Sequence, residues 1–216
     1  WEADCILLQG DHVYPDGSTA RFPLAKREWT PQEAATAAIS WNGIHRLYLL
    51  RTEIHRQFPY DEAALLYSDD NTSRLHFLHS QRIVACDVPY FYRQHAASMT
   101  KNRSVRIFDL ITAHASLQRT LAADALATDD MRQQLRNQRW RELTDMWHYY
   151  YINRQAFAPD RQHIERLLHS LYSELAGATI TDTLRWHFGY WQLRPYSLFC
   201  LQVKAYFRLR LLLGKE

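Results

Sequence analysis

The residues with most chemistry to offer lie in two short stretches of this 216-residue chain. The first is Tyr67-Ser68-Asp69-Asp70, two adjacent carboxylates at the head of a helix-forming run that includes Leu75, Phe77 and Leu78. The second is Tyr90-Phe91-Tyr92-Arg93-Gln94-His95-Ala96-Ala97-Ser98-Met99-Thr100, which puts a guanidinium, an imidazole and two hydroxyls on one segment that leaves a strand pattern. A forked cation beside an imidazole and hydroxyls suits a diphosphate. An ionised carboxylate suits removal of a proton from an attacking hydroxyl. Each also has an ordinary explanation. Asp69 or Asp70 caps orphan N–H groups and favours the positive end of a helix, and His95 bonds a backbone carbonyl on a surface loop. His76 and His79, three apart on the same predicted helix, have metal-ligand spacing, but no matching carboxylate set accompanies them and helix packing explains them better. No Gly-rich phosphate loop, Gly-x-Ser-x-Gly elbow or His-Glu-x-x-His occurs, which sets aside P-loop enzymes and hydrolases of those types.

Strands and helices must hold these groups in place. Cys5-Ile6-Leu7-Leu8 followed by the Tyr14-Pro15-Asp16-Gly17-Ser18 turn predicts a hairpin over residues 4–24. Thr30-Pro31-Gln32-Glu33 combines a capping threonine, a first-turn proline and a glutamate three residues on, and predicts a short helix through Ile39. Leu47-Tyr48-Leu49-Leu50 and Ile83-Val84-Ala85-Cys86 read as short buried strands. Beyond about residue 104 the helical period takes over. Leu135, Leu143, Met146, Trp147 and Tyr150 share a face behind a Thr128 cap, and Ile164, Leu167, Leu168, Leu171 and Leu175 share one between an Asp160 cap and Gly177. Leu198, Leu201, Ala205, Leu209 and Leu212 form a last amphipathic face with Lys204, Arg208 and Arg210 interleaved. The expected fold is α/β followed by a mainly α-helical C-terminal subdomain, with domains over 1–104 and 105–216.

A hydrophobic content of 47 % supports a sizeable core, and 6 Gly with 7 Pro exclude collagen-like and linker-like chains. Three widely spaced cysteines provide no disulfide framework, so a reducing compartment is expected. The apolar stretch Tyr196 to Val203 is far shorter than the roughly 20 residues that span a bilayer. Residues 1–100 carry 9 Lys/Arg against 12 Asp/Glu, and residues 101–216 carry 17 against 11, a shift from −3 to +6. Such an excess suits an anionic partner or simply solvates helix surfaces. The aromatics among the arginines, Trp147, Tyr149, Tyr150 and Tyr151, follow the helical period as core residues, so nucleic acid is not an expected partner. The chain opens on Trp1 without a methionine, and Ala3-Asp4-Cys5-Ile6-Leu7-Leu8 reads as a strand met in mid-domain, so a longer protein is expected.

In order and spacing, several of these segments resemble the downstream part of bacterial family 2 glycosyltransferases, inverting enzymes of the A-type fold that use nucleotide sugars. Trp41-Asn42-Gly43-Ile44-His45-Arg46 resembles the family's Trp-x-Lys-hydrophobic-Tyr-Arg segment, with Gly43 and His45 in place of the usual lysine and tyrosine. Phe58-Pro59-Tyr60-Asp61-Glu62 precedes Tyr67-Ser68-Asp69-Asp70 as a Phe-x-Glu stretch precedes the Glu-Asp motif, and Ser68 stands where that glutamate would be. Tyr92-Arg93-Gln94-His95-Ala96-Ala97-Ser98-Met99-Thr100 resembles Tyr-Arg-x-His-x-x-Ser-hydrophobic-Thr. The similarity covers residues 3–112.

The resemblance implies an acceptor-side part of a catalytic domain over residues 1–104, lacking the nucleotide-binding half. It implies Asp69, or its neighbour Asp70, as the base toward the acceptor hydroxyl. Arg93 and His95 would lie near the donor diphosphate, His95 as an extra ligand to Mg²⁺ or Mn²⁺, with Trp41 and Ser98 at the substrate. The Asp-x-Asp ligands of that ion have no counterpart in this chain. The implied function is transfer of a sugar from a nucleotide-sugar donor to a glycan or lipid-linked acceptor in cell-surface polysaccharide synthesis. A cytoplasmic location is implied, at the inner face of the membrane; independently, the leucine face bordered by Lys204, Arg208 and Arg210 suits peripheral contact of residues 194–215 with an anionic leaflet. The alternative is a non-catalytic helical module that binds a protein or an anionic membrane.

Overall fold

The computed structural model of the chain describes residues 2–22, 24–40, 43–44, 47–95 and 104–214. β1 (Cys5–Val13) turns through Tyr14–Ser18 and returns as β2 (Thr19–Arg21), with Val13 opposite Thr19. Gly17 holds the turn at φ +83°, a backbone conformation that side chains resist, and Asp16 Oδ1 accepts from the Ser18 amide at 2.9 Å. β3 (Glu28–Trp29) leads into α1 (Pro31–Ser40). The start of α1 is a reciprocal capping box, in which the Glu33 amide donates to Thr30 Oγ1 at 3.3 Å and the Thr30 amide donates to Glu33 Oε2 at 3.0 Å. Lys26 first, and then Thr30, hold the Glu33 carboxyl down at about 2.

β4 (Tyr48–Leu50), α2 (Thr52–Gln57), α3 (Ser68–Leu78) and β5 (Ile83–Arg93) complete the mixed layer. β5 runs parallel to β1, from Cys5–Ile83 to Val13–Arg93, with a register shift between Leu7 and Gln9. β4 pairs antiparallel with the first residues of β1, Tyr48 opposite Leu7, and β3 pairs antiparallel with the start of β5. The strand predicted to end before Asp87 therefore continues through Pro89. Here β5 has passed its pairing with β3, so proline's missing donor costs no ladder bond on that side. Leu7, Ile39, Phe77, Leu78 and Ile83 are fully or almost fully buried between the sheet and the helices α1 and α3.

After residue 104 every described element is helical: a 3₁₀ turn (Val105–Phe108), α4 (Asp109–Ala123), α5 (Asp129–Asn153), α6 (Arg161–Leu175), a second 3₁₀ turn (Thr183–Trp186) and α7 (Tyr196–Leu212). The chain is thus mixed α/β. Its two compact units, Trp1–Gln134 and Leu135–Glu216, divide within α5, further along than the change of element type near 104.

Two predicted helix faces form as periodicity implies. Thr128 Oγ1 accepts from the Met131 amide at 3.2 Å, and Leu135, Leu143, Met146, Trp147 and Tyr150 are buried. On α6, Ile164, Leu168, Leu171 and Leu175 are buried and Leu167 is half-buried. The ends of α6 differ from expectation. Asp160 occupies the cap position without a side-chain bond to the helix, and Gly177 is not left-handed. Arg194 closes that end instead, its Nε donating to the Ala176 carbonyl at 2.9 Å.

On α7 the predicted leucine face is the outer one. The buried side is Phe199, Gln202, Val203 and Phe207, whereas Leu198, Leu201, Leu209 and Leu212 are exposed. Phe199 packs against Trp140 and Tyr172, and Phe207 stacks on His148 at 4.1 Å between ring centroids. Larger aromatic area decides which side turns inward. Arg210 follows the inner side, over the Tyr206 ring. No helix among the described residues is long and apolar enough to cross a membrane.

Candidate functional site

α3 has an unusual start. Its cap residue Tyr67 is left-handed at φ 69°, and the Tyr67 side chain makes no cap bond. Ser68, Asp69 and Asp70 follow as its first turn, where acidic side chains face the positive end of the helix. The cap position falls on Tyr67, so Asp69 and Asp70, each offered as a helix-start residue, lie two and three residues beyond it. The two aspartates differ sharply in environment. Asp69 is exposed; Asp70 is only 2 % exposed. The Asp70 amide donates to the Tyr67 carbonyl at 3.1 Å, and its own carbonyl accepts from Ser73 Oγ at 3.1 Å.

The middle of α3, from Asn71 to Arg74, is polar and buried, and its side chains tie it to the surrounding segments. Thr72 Oγ1 accepts from the Asp61 amide at 2.9 Å, and Asn71 Nδ2 donates to Asp61 Oδ2 at 2.8 Å and to the Ala113 carbonyl at 2.6 Å. Arg74, 1 % exposed, donates from Nε to the Ala38 carbonyl at 3.2 Å and from Nη1 to Asn71 Oδ1 at 3.2 Å. These bonds lock the helix and, with it, the placement of Asp69.

Asp69 opens onto a cleft of about 350 Å³ whose other walls include Tyr48, His55, Tyr60, Ser73 and His76. Tyr48 comes from β4, His55 from α2, and Ser73 and His76 from the Asp69 face of α3, four and seven residues on. His76 Nε2 lies 2.8 Å from the Phe58 carbonyl, which only accepts, so Nε2 carries the proton and Nδ1 accepts from Tyr48 Oη at 2.7 Å. His55 Nδ1 stands 3.4 Å from His76 Nε2. Burial lowers the His76 pKa below the usual histidine value and the neighbouring His55 lowers it further, against the Phe58 bond that raises it. His76 is neutral at neutral pH. The result is an exposed carboxylate at a cleft lined by two tyrosines, of which Tyr48 is held by its bond to His76.

That network has a pH signature. Unfolded His76 takes a proton near its ordinary 6.5, whereas folded His76 resists it, so the unfolded state binds more protons below that pH. Stability is complete above about pH 6.5 and falls as pH drops toward the depressed folded value. Urea unfolding at pH 7.5 and 5.5 should show a larger acid loss in the parent than in His76→Gln; equal losses would remove His76 from this role.

The structure does not bring the second motif into this cleft. Arg93 and His95 are both exposed, and neither lines the Asp69 cleft. Arg93 pairs with Val13, six residues along β1 from Leu7, the partner of Tyr48. At about 3.3 Å per residue this is roughly 20 Å of strand. Trp41 and Ser98 lie outside the described residues. His79 is no metal ligand here: its Nε2 meets Asp124 Oδ2 at 2.7 Å and its ring stacks on Phe58. No group of three His, Cys, Asp or Glu side chains able to hold a metal occurs among the described residues. His95 alone does not fit a Mg²⁺ or Mn²⁺ site, and no step below runs through a metal.

Tyr48, His55, Tyr60 and Ser73 went unpredicted as site residues. Tyr48 and His76 are 28 residues apart, and no spacing rule joins them. Compared with known proteins, the chain matches no protein-family model, no curated protein and no solved structure.

Proposed function

We propose that this chain forms the acceptor side of an inverting, nucleotide-sugar-dependent transferase similar to the bacterial family 2 glycosyltransferases. Its product would be a glycan or lipid-linked saccharide of the cell surface, made at the cytoplasmic face of the membrane. The observation that carries this reading is Asp69, the exposed carboxylate on a rigid first turn that opens onto a tyrosine-walled cleft. In this reading the acceptor hydroxyl lies beside Asp69, which takes its proton as the oxygen bonds to the anomeric carbon. The bond from that carbon to the diphosphate breaks on the opposite face, the nucleoside diphosphate leaves with the electron pair, and the configuration inverts. Tyr48 and Tyr60 offer flat ring faces to a saccharide, and the Tyr48–His76 pair fixes one of them. Arg93 and His95, which the resemblance offers as cations for the leaving diphosphate, lie away from this cleft and are given no part in the step. Screening the intact protein against a panel of nucleotide sugars for released nucleoside diphosphate tests the proposal.

A further inference from the structure

The outer face of the last helix has no core to serve. Leu198, Leu201, Leu209 and Leu212 fall within about 80° of arc at 100° per residue. Leu201 is 65 % exposed and Leu212 84 %. One border of this stripe is basic, formed by Lys204 and Arg208, and the helix contains no Asp or Glu. The other border is aromatic. The loop before α7 is held to it by Gln202 Nε2, which donates to the Trp191 carbonyl at 2.8 Å, and by Phe188 set edge-on to Tyr206. That loop presents Trp186, 70 % exposed, and Trp191, 41 % exposed.

Behind the basic border lies a recess of about 300 Å³ lined by Trp147, Tyr150, Tyr151, Arg154, Arg161 and Lys204, with Glu165 as its single carboxylate. Glu165 is already engaged, accepting from Tyr150 Oη at 3.1 Å and from Arg161 Nε at 3.0 Å. Arg154 lies over the Tyr151 ring and Lys204 over Trp147. Neither cation forms an ion pair among the described residues. Three cations against one engaged carboxylate make an anion seat, and Lys204 belongs both to it and to the border of the leucine stripe.

We propose that the helical unit rests on an anionic membrane surface through the leucine face of α7, with Arg154, Arg161 and Lys204 seating a lipid phosphate. Leucines enter the acyl boundary, tryptophans sit at headgroup level, and lysine and arginine meet the phosphates. A second copy of the chain fits this face less well, because a two-fold contact sets a helix with no carboxylate against itself. Every residue involved belongs to the helical unit, so membrane contact is independent of sugar transfer.

The test is co-sedimentation of the 216-residue chain with vesicles of phosphatidylcholine alone and of phosphatidylcholine mixed with phosphatidylglycerol. The chain should sediment with the anionic vesicles only. Leu201→Glu combined with Leu212→Glu should weaken binding at least about tenfold. Arg154→Glu and Lys204→Glu should each weaken it about fivefold and flatten its salt dependence. Because these side chains are largely exposed, melting temperatures should stay near that of the parent. Equal sedimentation with neutral vesicles, none with anionic ones, or unchanged binding of the leucine variant overturns the proposal. A parent dimer that Leu201→Glu converts to monomer also overturns it, assigning the face to a second copy.

Discussion

Replacing Asp69 with Asn in the intact protein should lower sugar transfer by about a hundredfold or more while leaving nucleotide-sugar binding and folding in place. The change keeps the side chain's shape and removes only its ability to accept a proton. Asp69 is exposed, so no buried network depends on its charge. Asp70 supplies the contrast. It is buried within the first turn of α3, and Asp70→Asn should cost about 1–3 kcal/mol of stability, the penalty for disturbing a buried polar group, with little loss of rate. Urea unfolding and steady-state assays on both variants separate the two effects. The reverse ranking would move the base to Asp70, and two nearly active variants would remove acid–base chemistry from this turn.

The second large effect is structural. Trp140 is fully buried in the helical unit, its ring 5.5 Å from Phe199 between centroids, and its Nε1 donates to the Tyr190 carbonyl at 2.8 Å. Trp140→Ala removes the largest fully buried side chain of that unit and should cost about 3–5 kcal/mol. Trp140→Phe keeps much of the volume but leaves the Tyr190 carbonyl without its donor, for about 1–3 kcal/mol. Urea midpoints at constant slope would give both values. Losses below about 1 kcal/mol in both variants would show that the unit does not depend on this core.

Local signals in the sequence were strong where the physics is local. Thr30 and Glu33 bond each other across one helical turn, so their spacing alone reveals the cap. Leu135, Leu143 and Met146 lie on one face because α5 repeats every 3.6 residues. Tertiary competition was not legible in the same way. α7 carries leucines on one side and phenylalanines on the other, and periodicity cannot say which side the rest of the unit covers. Phe199 and Phe207 take the interior, leaving a leucine stripe outside.

The candidate site shows the same division. Asp69 and Asp70 were visible as a pair, yet which of them lines the cleft and which is buried is set by the face that α3 turns to its surroundings. Buried Asn71, Thr72 and Arg74 do not read as a core helix on hydrophobicity. They are tolerated because their partners, Asp61, Ala38 and Ala113, come from distant segments. The same holds for Tyr48 and His76. The Arg93-x-His95 motif was legible as a motif, but its position relative to the cleft follows from strand register, which pairs Arg93 with Val13.

The most direct measurement is release of nucleoside diphosphate by the intact protein from a panel of nucleotide sugars, with and without saccharide acceptors, run in parallel for the parent and Asp69→Asn. Sugar transfer predicts release from one donor that rises with acceptor and is lost in Asp69→Asn while donor binding is kept. No release from any donor, or release unchanged in the variant, would contradict it.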